Sequence, residues 1–543
     1  VSDISIIIVN YNVRYFLTQC IDSIIHSDLN GLKIEVIVVD NASTDDSFPY
    51  LEEKYGSSIK FIKNPSNMGF SKACNIGFKH ASGKNILFLN PDTILHKDTL
   101  RKSHSRLKEE EGLAALGVKL IDGQGRFLPE SKRSFPTPLN AFAKLAGIGK
   151  YLPASVIKPY NLYNLSEEDT HYVEVLCGAF LLIKSSVFRR INGFDESFFM
   201  YGEDIDLCKR IIKEGFKILY FPETSIIHYK GESQKVKSLG YFKNFYSAMS
   251  IYADKHFGLL TSVFLKLMIF IAGFTAWLLS IVKVVYKPVL DFLGLFALLC
   301  GLKWIWSIIY FQDPQYYPSA MYAMNSVYAL IFIIWLWINK YYSKGTSFRN
   351  LLFGVLLGCG TIFIVYGLLP LDLRFSRMIL ILFSLMSLPA LLFIRWLVQK
   401  LEGHEDLLFG RKQIKSLVVA DVDGYKEVYD FLYQAQPLID IIGRIRYLEE
   451  EVAESNKSIG HIKQLKDLIN IYGPDELVFN LDCVSSDQLF SCLTNYGQQV
   501  DFKVYSKNLL GVIGSPDRFT SGEIYTMEVT FAIDKPSSKF LKW

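Results

Sequence analysis

Between residues 259 and 398 the chain carries five apolar stretches, at about 259–285, 289–311, 318–338, 350–370 and 376–398. Each is near the ~20 residues that an α-helix needs to cross a bilayer core. One such run could be the core helix of a soluble domain, but five in succession argue for a membrane. Half of the 543 residues are hydrophobic, and the excess is concentrated in this block, which excludes a disordered or fibrous chain. Three parts are therefore expected: 1–255, 256–398 in the membrane, and 399–543, the outer two with mixed, soluble composition.

The charges between the stretches set an expected topology. Lys283 and Lys287 lie between the first two stretches, and 312–317 has no cation. Lys340, Lys344 and Arg349 follow the third, Arg374 and Arg377 the fourth, and Lys400, Arg411, Lys412 and Lys415 the last. If all five span and the first block is cytosolic, the Lys340 group falls outside, against the positive-inside bias. If 259–285 lies in the interface or re-enters, four spans remain, and every cationic group except Arg374 and Arg377 is inside. The expectation is four spans with both soluble blocks in the cytosol. The start, VSDISIIIVNYN, reads as a strand and lacks the pattern of a secretory signal. None of the eight cysteines forms a C-x-x-C pair, which suits reduced thiols better than disulfides or zinc. A net charge of +4 gives no signal for a nucleic-acid partner.

The first block alternates strand and helix patterns. Strands are expected over 4–9, 35–39, 59–62 and 86–89, and helices over 15–26 and 71–80, so the sheet should be mainly parallel. Asp40-Asn41 and Asn90-Pro91-Asp92 fall just past strand ends, where open α/β sheets bind ligands. The third block repeats the alternation, with strands over 417–420, 439–442, 476–479 and 500–504 and helices over 425–434, 461–472 and 486–495. It reads as a small Rossmann-like α/β domain. The loop 420–424 after its first strand holds one glycine, Gly424, and does not match a Gly-rich nucleotide loop.

Six pieces of the first block occur in a telling order: VDNASTDDS (39–47), NMGFSKACNIG (67–77), LNPDT (89–93), CGAFLLIKSSVF (177–188), GFDESFFMYGEDIDLCKR (193–210) and HYKGES (228–233). Together, over about 3–235, they resemble the family 2 glycosyltransferases of GT-A fold, in the rhamnosyltransferase-like branch. The resemblance implies a nucleoside-diphosphate-sugar donor, a divalent cation (Mn2+ or Mg2+) and inversion at the anomeric carbon. Asp40 would accept a hydrogen bond from the base; as a residue alone it could equally cap a helix or shape a turn. Asn41, Asn67 and Gly69 fall with it on the donor side.

Asn90-Pro91-Asp92 stands in the place of the family's acid-x-acid motif, with Asn90 replacing the first acid. Asp92 is the expected metal ligand, and His228 is the second by the family pattern. Among Glu203, Asp204 and Asp206 the resemblance implies Asp204 as general base, with Glu203 the runner-up; acids at a helix start also suit the macrodipole without any function. Gly178, between Cys177 and Ala179, belongs to the acceptor side, and Arg133 is a further phosphate or acceptor candidate. Arg395-Trp396 has Leu392 where processive synthases carry Gln, so addition of one or a few sugars is expected.

From about 289 onward, four spans, LLPLDLRFSRMIL (368–380) and the Rossmann-like block resemble the membrane and sensor-like parts of polyprenyl glycosylphosphotransferases without their catalytic region. The combined expectation is a multi-pass enzyme of the bacterial cytoplasmic membrane. It would move a sugar such as rhamnose to a polyprenyl-diphosphate-linked glycan for polysaccharide, O-antigen or capsule assembly. The alternatives are transfer to a simple lipid carrier, or a non-catalytic membrane scaffold that senses nucleotide sugar.

Overall fold

Runs of β-branched residues build the first sheet. β1 (Ile4–Asn10, ISIIIVN) is buried at every position, and β2 (Ile34–Asp40, IEVIVVD) at its last five. Continuous apolar runs of this kind mark parallel strands covered on both faces. The strands that follow are β3 (Lys60–Lys63), β4 (Asn85–Leu89), β5 (Thr93–Leu95), β6 (Leu113–Ile121), β7 (His171–Tyr172), β8 (Phe180–Lys184) and β9 (Lys217–His228). In the computed structural model the described residues are 2–137, 160–229, 239–402, 413–447, 458–514 and 523–526, apart from 46, 57, 315, 318, 343–346, 371–373, 436–438, 498 and 508–510. Lys230–Ser233 of the HYKGES piece, Lys344, Arg411, Lys412 and 371–373 of the 368–380 passage lie outside the described residues, as does the side chain of Lys283.

The sheet order is β3-β2-β1-β4-β8-β6-β9-β5, with β7 paired to β9. β1 to β4 are parallel where they pair, and β8 runs antiparallel between β4 and β6. Side chains alternate between two cores: Ile7, Ile37 and Phe88 enter one, and Ile6, Ile8, Val38 and Leu87 the other. The helices Arg14–Ile25 and Phe70–Lys79 match the expected spans to within a residue or two. The helix Ser47–Tyr55 was not anticipated, because Pro49 and its charged residues hide the apolar spacing. Proline is tolerated there because the first turn leaves N–H groups unused in any case.

Two units divide the chain: residues 1–273 with 414–543, and residues 274–413. The first unit holds a second sheet of β10 (Ile414–Val419), β11 (Ile439–Arg446), β12 (Ser458–His461), β13 (Glu476–Asn480), β14 (Asp501–Ser506), β15 (Gly511–Gly514) and β16 (Glu523–Thr526). Its order is β12-β11-β10-β13-β14-β15-β16. The first five are parallel and the last two antiparallel. The helix expected over 461–472 is corrected: His461 closes β12, and the α-helix is Leu465–Tyr472 after a single tight turn. β12 has only one β-branched residue, so its sequence carries little strand signal.

The reading of 259–285 and 289–311 as separate segments is corrected. One 48-residue helix, Leu259–Trp306, runs through Pro288 and takes in the first stretch and most of the second, with a π-helical turn over Ser307–Phe311. Lys283 and Lys287 therefore sit on a helix and not in a connection. A proline inside a long apolar helix removes one hydrogen bond without ending the helix where its surroundings supply the rest of the packing. Among the described residues, three helical segments are long and apolar enough to cross a membrane: Val284–Phe311, Phe348–Leu368 and Arg377–Leu401. Ala323–Ile338 is a shorter apolar helix.

The unit has its own core, with Tyr328, Phe332, Leu336, Val355, Ile362 and Phe383. Gly354 and Gly358 let two helices approach: a Cβ on Gly354 would lie 2.7 Å from Leu336 Cδ2, and one on Gly358 3.0 Å from Phe332 Cδ1. Arg395 is buried, with Nε 3.1 Å from the Tyr341 hydroxyl and Nη2 3.5 Å from Asp291 Oδ2. It has a packing role that accounts for it without a processive motif.

Candidate active site

The carboxyl ends of β1, β2 and β4 form one edge. Asn10 and Asp40 are register partners at the ends of β1 and β2. Asn10 Nδ2 donates to Asp40 Oδ1 at 2.8 Å, and the Ser43 N–H donates to Oδ2 at 3.2 Å. β4 lies on the other side of β1, so Asn90 just past it is about 10 Å from Asp40 by two strand spacings. Asn41 ties two loops together. Its Nδ2 donates to Asn67 Oδ1 at 2.8 Å and to the Gly69 carbonyl at 3.2 Å, and its Oδ1 accepts from Asn64 Nδ2 and the Met68 N–H. Gly69 has φ +83°, and a Cβ there would lie 2.6 Å from the Phe199 carbonyl, so this turn requires glycine. The Phe70 N–H donates to the same carbonyl at 2.7 Å, which joins the NMG loop to the loop ahead of Glu203.

Contacts continue across the sheet. The Asn90 N–H donates to the Ala179 carbonyl at 3.0 Å, and the Gly178 N–H donates to Asp204 Oδ2 at 3.3 Å. Asp92 Oδ1 lies 3.5 Å from His228 Nε2, which also faces Asn90 Nδ2 at 3.4 Å. β5 brings this pair together, because Thr93 is paired with His228 and the Tyr229 N–H donates to the Asp92 carbonyl at 2.9 Å. Among the described residues no group of three or more His, Cys, Asp or Glu converges on a metal position. Asp92 and His228 still fit a divalent cation that takes its other ligands from a diphosphate and water. Both are buried, and His228 Nδ1 has no hydrogen-bond partner among the described residues.

The acids at 203–206 do not act as one group. Tyr201 (φ +70°) and Gly202 (φ +78°) turn the chain through two left-handed residues into the helix Glu203–Lys213. This sends three acids to three environments. Asp204 faces the sheet edge: Arg133 Nη2 is 2.5 Å from its Oδ2, and the Ile205 N–H caps its Oδ1 at 2.8 Å. Burial works against the Arg133 charge, and the Asp204 carboxylate more than offsets this, holding the guanidinium well above its ordinary pKa. Arg133 also donates to the Leu176 carbonyl at 2.8 Å and the Tyr160 hydroxyl at 3.2 Å. Glu203 is buried with Oε2 unpartnered among the described residues. Burial first, and then the Asp204 charge, raise its pKa well above the carboxylate range.

Asp206 lies apart from Asp204 and Glu203. It is fully buried and receives Arg210 Nε, Lys255 Nζ and His256 Nε2, each at 2.8 Å. Its work is to fasten the helix Leu239–His256 to the helix that carries Asp204. Sequence reasoning missed Asn10, Ser43 and Tyr160, which hold Asp40 and Arg133. Asn10 ends a strand one register step from Asp40, and that could have drawn attention to it.

Residues 5–190 match the family described as glycosyl transferase family 2, and residues 163–233 match one described as the N-terminal domain of galactosyltransferase. The N-terminal domain is a family 2 glycosyltransferase. The chain is 28% identical over 230 residues to the low-salt glycan biosynthesis hexosyltransferase Agl10 of Haloferax volcanii, covering 42% of this chain and 67% of that protein. It is 34% identical over 154 residues to the rhamnosyltransferase WbbL of Escherichia coli K12, covering 28% of this chain and 54% of that one. It is 25% identical over 237 residues to the N-acetylglucosaminyl-diphospho-decaprenol L-rhamnosyltransferase of Mycobacterium tuberculosis, covering 41% and 76%. The three relatives are thus matched over roughly half to three quarters of their own length.

Proposed function

We propose that the chain is an inverting glycosyltransferase that moves a sugar, rhamnose or a related hexose, from a nucleoside diphosphate to a polyprenyl-diphosphate-linked glycan. The observation that carries the reading is a single sheet edge where Asn10 holds Asp40, β1 pairs with β4, and Asn90 just past β4 is joined through Ala179 and Gly178 to Asp204. The names of the Mycobacterium and Escherichia coli relatives support rhamnose, and the former supports a diphospho-polyprenol acceptor.

In this mechanism Asp40 takes the base, and the loop held by Asn41, Asn67 and Gly69 borders the donor. Asp92 and His228 would hold a divalent cation, which supplies charge neutralisation of the leaving diphosphate. The acceptor hydroxyl oxygen attacks the anomeric carbon from the Gly178 side. The bond to the diphosphate oxygen breaks with its electron pair, and the hydroxyl proton passes to the Asp204 carboxylate. Arg133 orients that carboxylate through its contacts with the Leu176 carbonyl and Tyr160. No covalent enzyme intermediate is needed.

The apolar helices of the second unit would anchor the enzyme in the cytoplasmic membrane as a multi-pass protein, with the transferase and the C-terminal domain on the cytosolic face. The three functional parts would be 1–255, 256–398 and 399–543. The parallel strands of the last part, in the order β12-β11-β10-β13-β14, support a Rossmann-like reading. Tethering to the bilayer raises the effective concentration of a lipid-borne acceptor.

The test is a donor screen on membranes containing the full chain, read by mass spectrometry of the lipid-linked product. Transfer from a deoxysugar nucleotide that disappears in Asp204→Asn, with nucleotide binding retained, is the expected result. Undiminished transfer by Asp204→Asn overturns the assignment of the base.

A further inference from the structure

We propose that the C-terminal α/β domain clamps the donor end of the transferase, and that Phe490 and Asp487 are positioning residues for Asp92 and His228. The inference rests on the donor-site reading of Asp92 and His228 given above. These two residues border a weak element. β5 has three residues, ends the sheet order, and among the described residues pairs with β9 alone. A three-residue edge strand with one ladder does not hold its place without cover.

The helix Arg14–Ile25 covers β5 on one side, with the Leu95 N–H donating to the Ser23 hydroxyl at 3.2 Å, and the helix Ser486–Tyr496 adds the cover beside Ile94. Ile94 of β5 and its register partner Ile227 of β9 share one buried cluster with Ile121, Tyr229, Phe490 and Leu493. The Phe490 ring meets His96 edge-on at 5.2 Å, one residue past β5. His96 is bridged between domains: Nδ1 lies 2.8 Å from Asp98 Oδ1, and Nε2 lies 3.2 Å from Asp487 Oδ1. Lys97 pairs with the other oxygen of Asp487.

Beside this contact two backbones meet. A Cβ on Gly497 would lie 1.9 Å from the Gln124 carbonyl oxygen, and one on Gly125 would lie 2.5 Å from the Leu493 carbonyl oxygen. Only glycine allows so close an approach. Gln124 also donates to Asp501. Both flanks of the β5–β9 ladder are thus held by residues from beyond 486. Because displacement of a binding group by about 1 Å costs on the order of 100-fold in rate, such support would be felt at the donor site.

The experiment uses the full chain in detergent micelles. Hydrogen exchange is followed in segments 90–98 and 224–229, with 4–10 and 34–40 as internal controls. Affinity for Mn2+ alone is measured by calorimetry. Phe490→Ala is expected to speed exchange in the first two segments about tenfold and leave the controls unchanged. It should also weaken Mn2+ binding about tenfold, as loss of support behind a metal ligand does. Phe490→Leu, which keeps the apolar contact, should restore both within about twofold. Wild-type exchange in 90–98 and 224–229 of Phe490→Ala overturns the proposal, and so does equal acceleration in all four segments. Asp487→Asn, which keeps the shape, should show the same pattern at smaller size, and wild-type exchange there removes Asp487 from the clamp. If the wild-type chain transfers no sugar or binds no Mn2+, the functional reading fails, while the exchange pattern still decides whether the clamp exists.

Discussion

Arg133 Nη2 and Asp204 Oδ2 lie 2.5 Å apart, between two segments 71 residues apart in the chain. The pair sets the orientation of a carboxylate that also accepts the Gly178 N–H at the sheet edge. Arg133→Gln keeps a donor there but loses the charge and the planar fork. We expect kcat to fall about 10- to 100-fold, with the donor KM within about threefold. Steady-state kinetics with the nucleotide sugar varied check this. A large rise in donor KM at unchanged kcat would mean that Arg133 acts on the donor instead.

Glu203 carries a pH signature. Its folded pKa is raised, so the folded state binds more protons than the unfolded state once pH exceeds the ordinary carboxylate value of about 4.3. Stability therefore declines as pH rises from there toward the raised value, and no further loss accrues above it. Glu203→Gln resembles the protonated form and should flatten this decline. Melting temperatures of the two proteins measured between about pH 5 and 9 should diverge, with the wild type losing ground as pH rises.

Asp206 has the opposite sign. Burial opposes its charge, but hydrogen bonds from His256 and Lys255 and the charge of Arg210 more than compensate and lower its pKa. Its contribution is complete above the unfolded value of about 3.9 and fades as pH falls below it. Asp206→Asn should cost on the order of 3 kcal/mol, because three donors lose a buried carboxylate. Limited proteolysis near the helix Leu239–His256, together with thermal unfolding, reads the effect.

Gly354 tests the packing of the second unit. Gly354→Leu drives a side chain into Leu336 and should destabilise the unit by about 1–3 kcal/mol. Thermal unfolding in detergent should show it, and Gly360→Ala, with open space around its Cβ position, should leave the transition nearly unmoved.

Removal of divalent cations with a chelator should abolish transfer. Asp92→Asn should raise the half-saturating Mn2+ concentration by about tenfold or more, because one hard oxygen ligand loses its charge. Titration of activity with Mn2+ at fixed donor concentration checks this.

Much of this was legible in the linear chain. The runs ISIIIVN and IEVIVVD can satisfy their backbones and bury both faces only as central parallel strands, and the ordered pieces from 39 to 210 marked Asp40, Asp92 and Asp204. The length and apolarity of 259–398 marked the helices, although Pro288 and the cations beside it disguised two segments as separate when one helix joins them. Tertiary structure alone decided how the acids divide. Glu203, Asp204 and Asp206 are neighbours in sequence, but a helix rotates successive side chains by about 100°, so each meets a different partner. Distance along the chain hid the roles of Arg133, Asn10 and Phe490. Their partners are Asp204, Asp40 and His96, and the separation along the chain says nothing about which of these will meet.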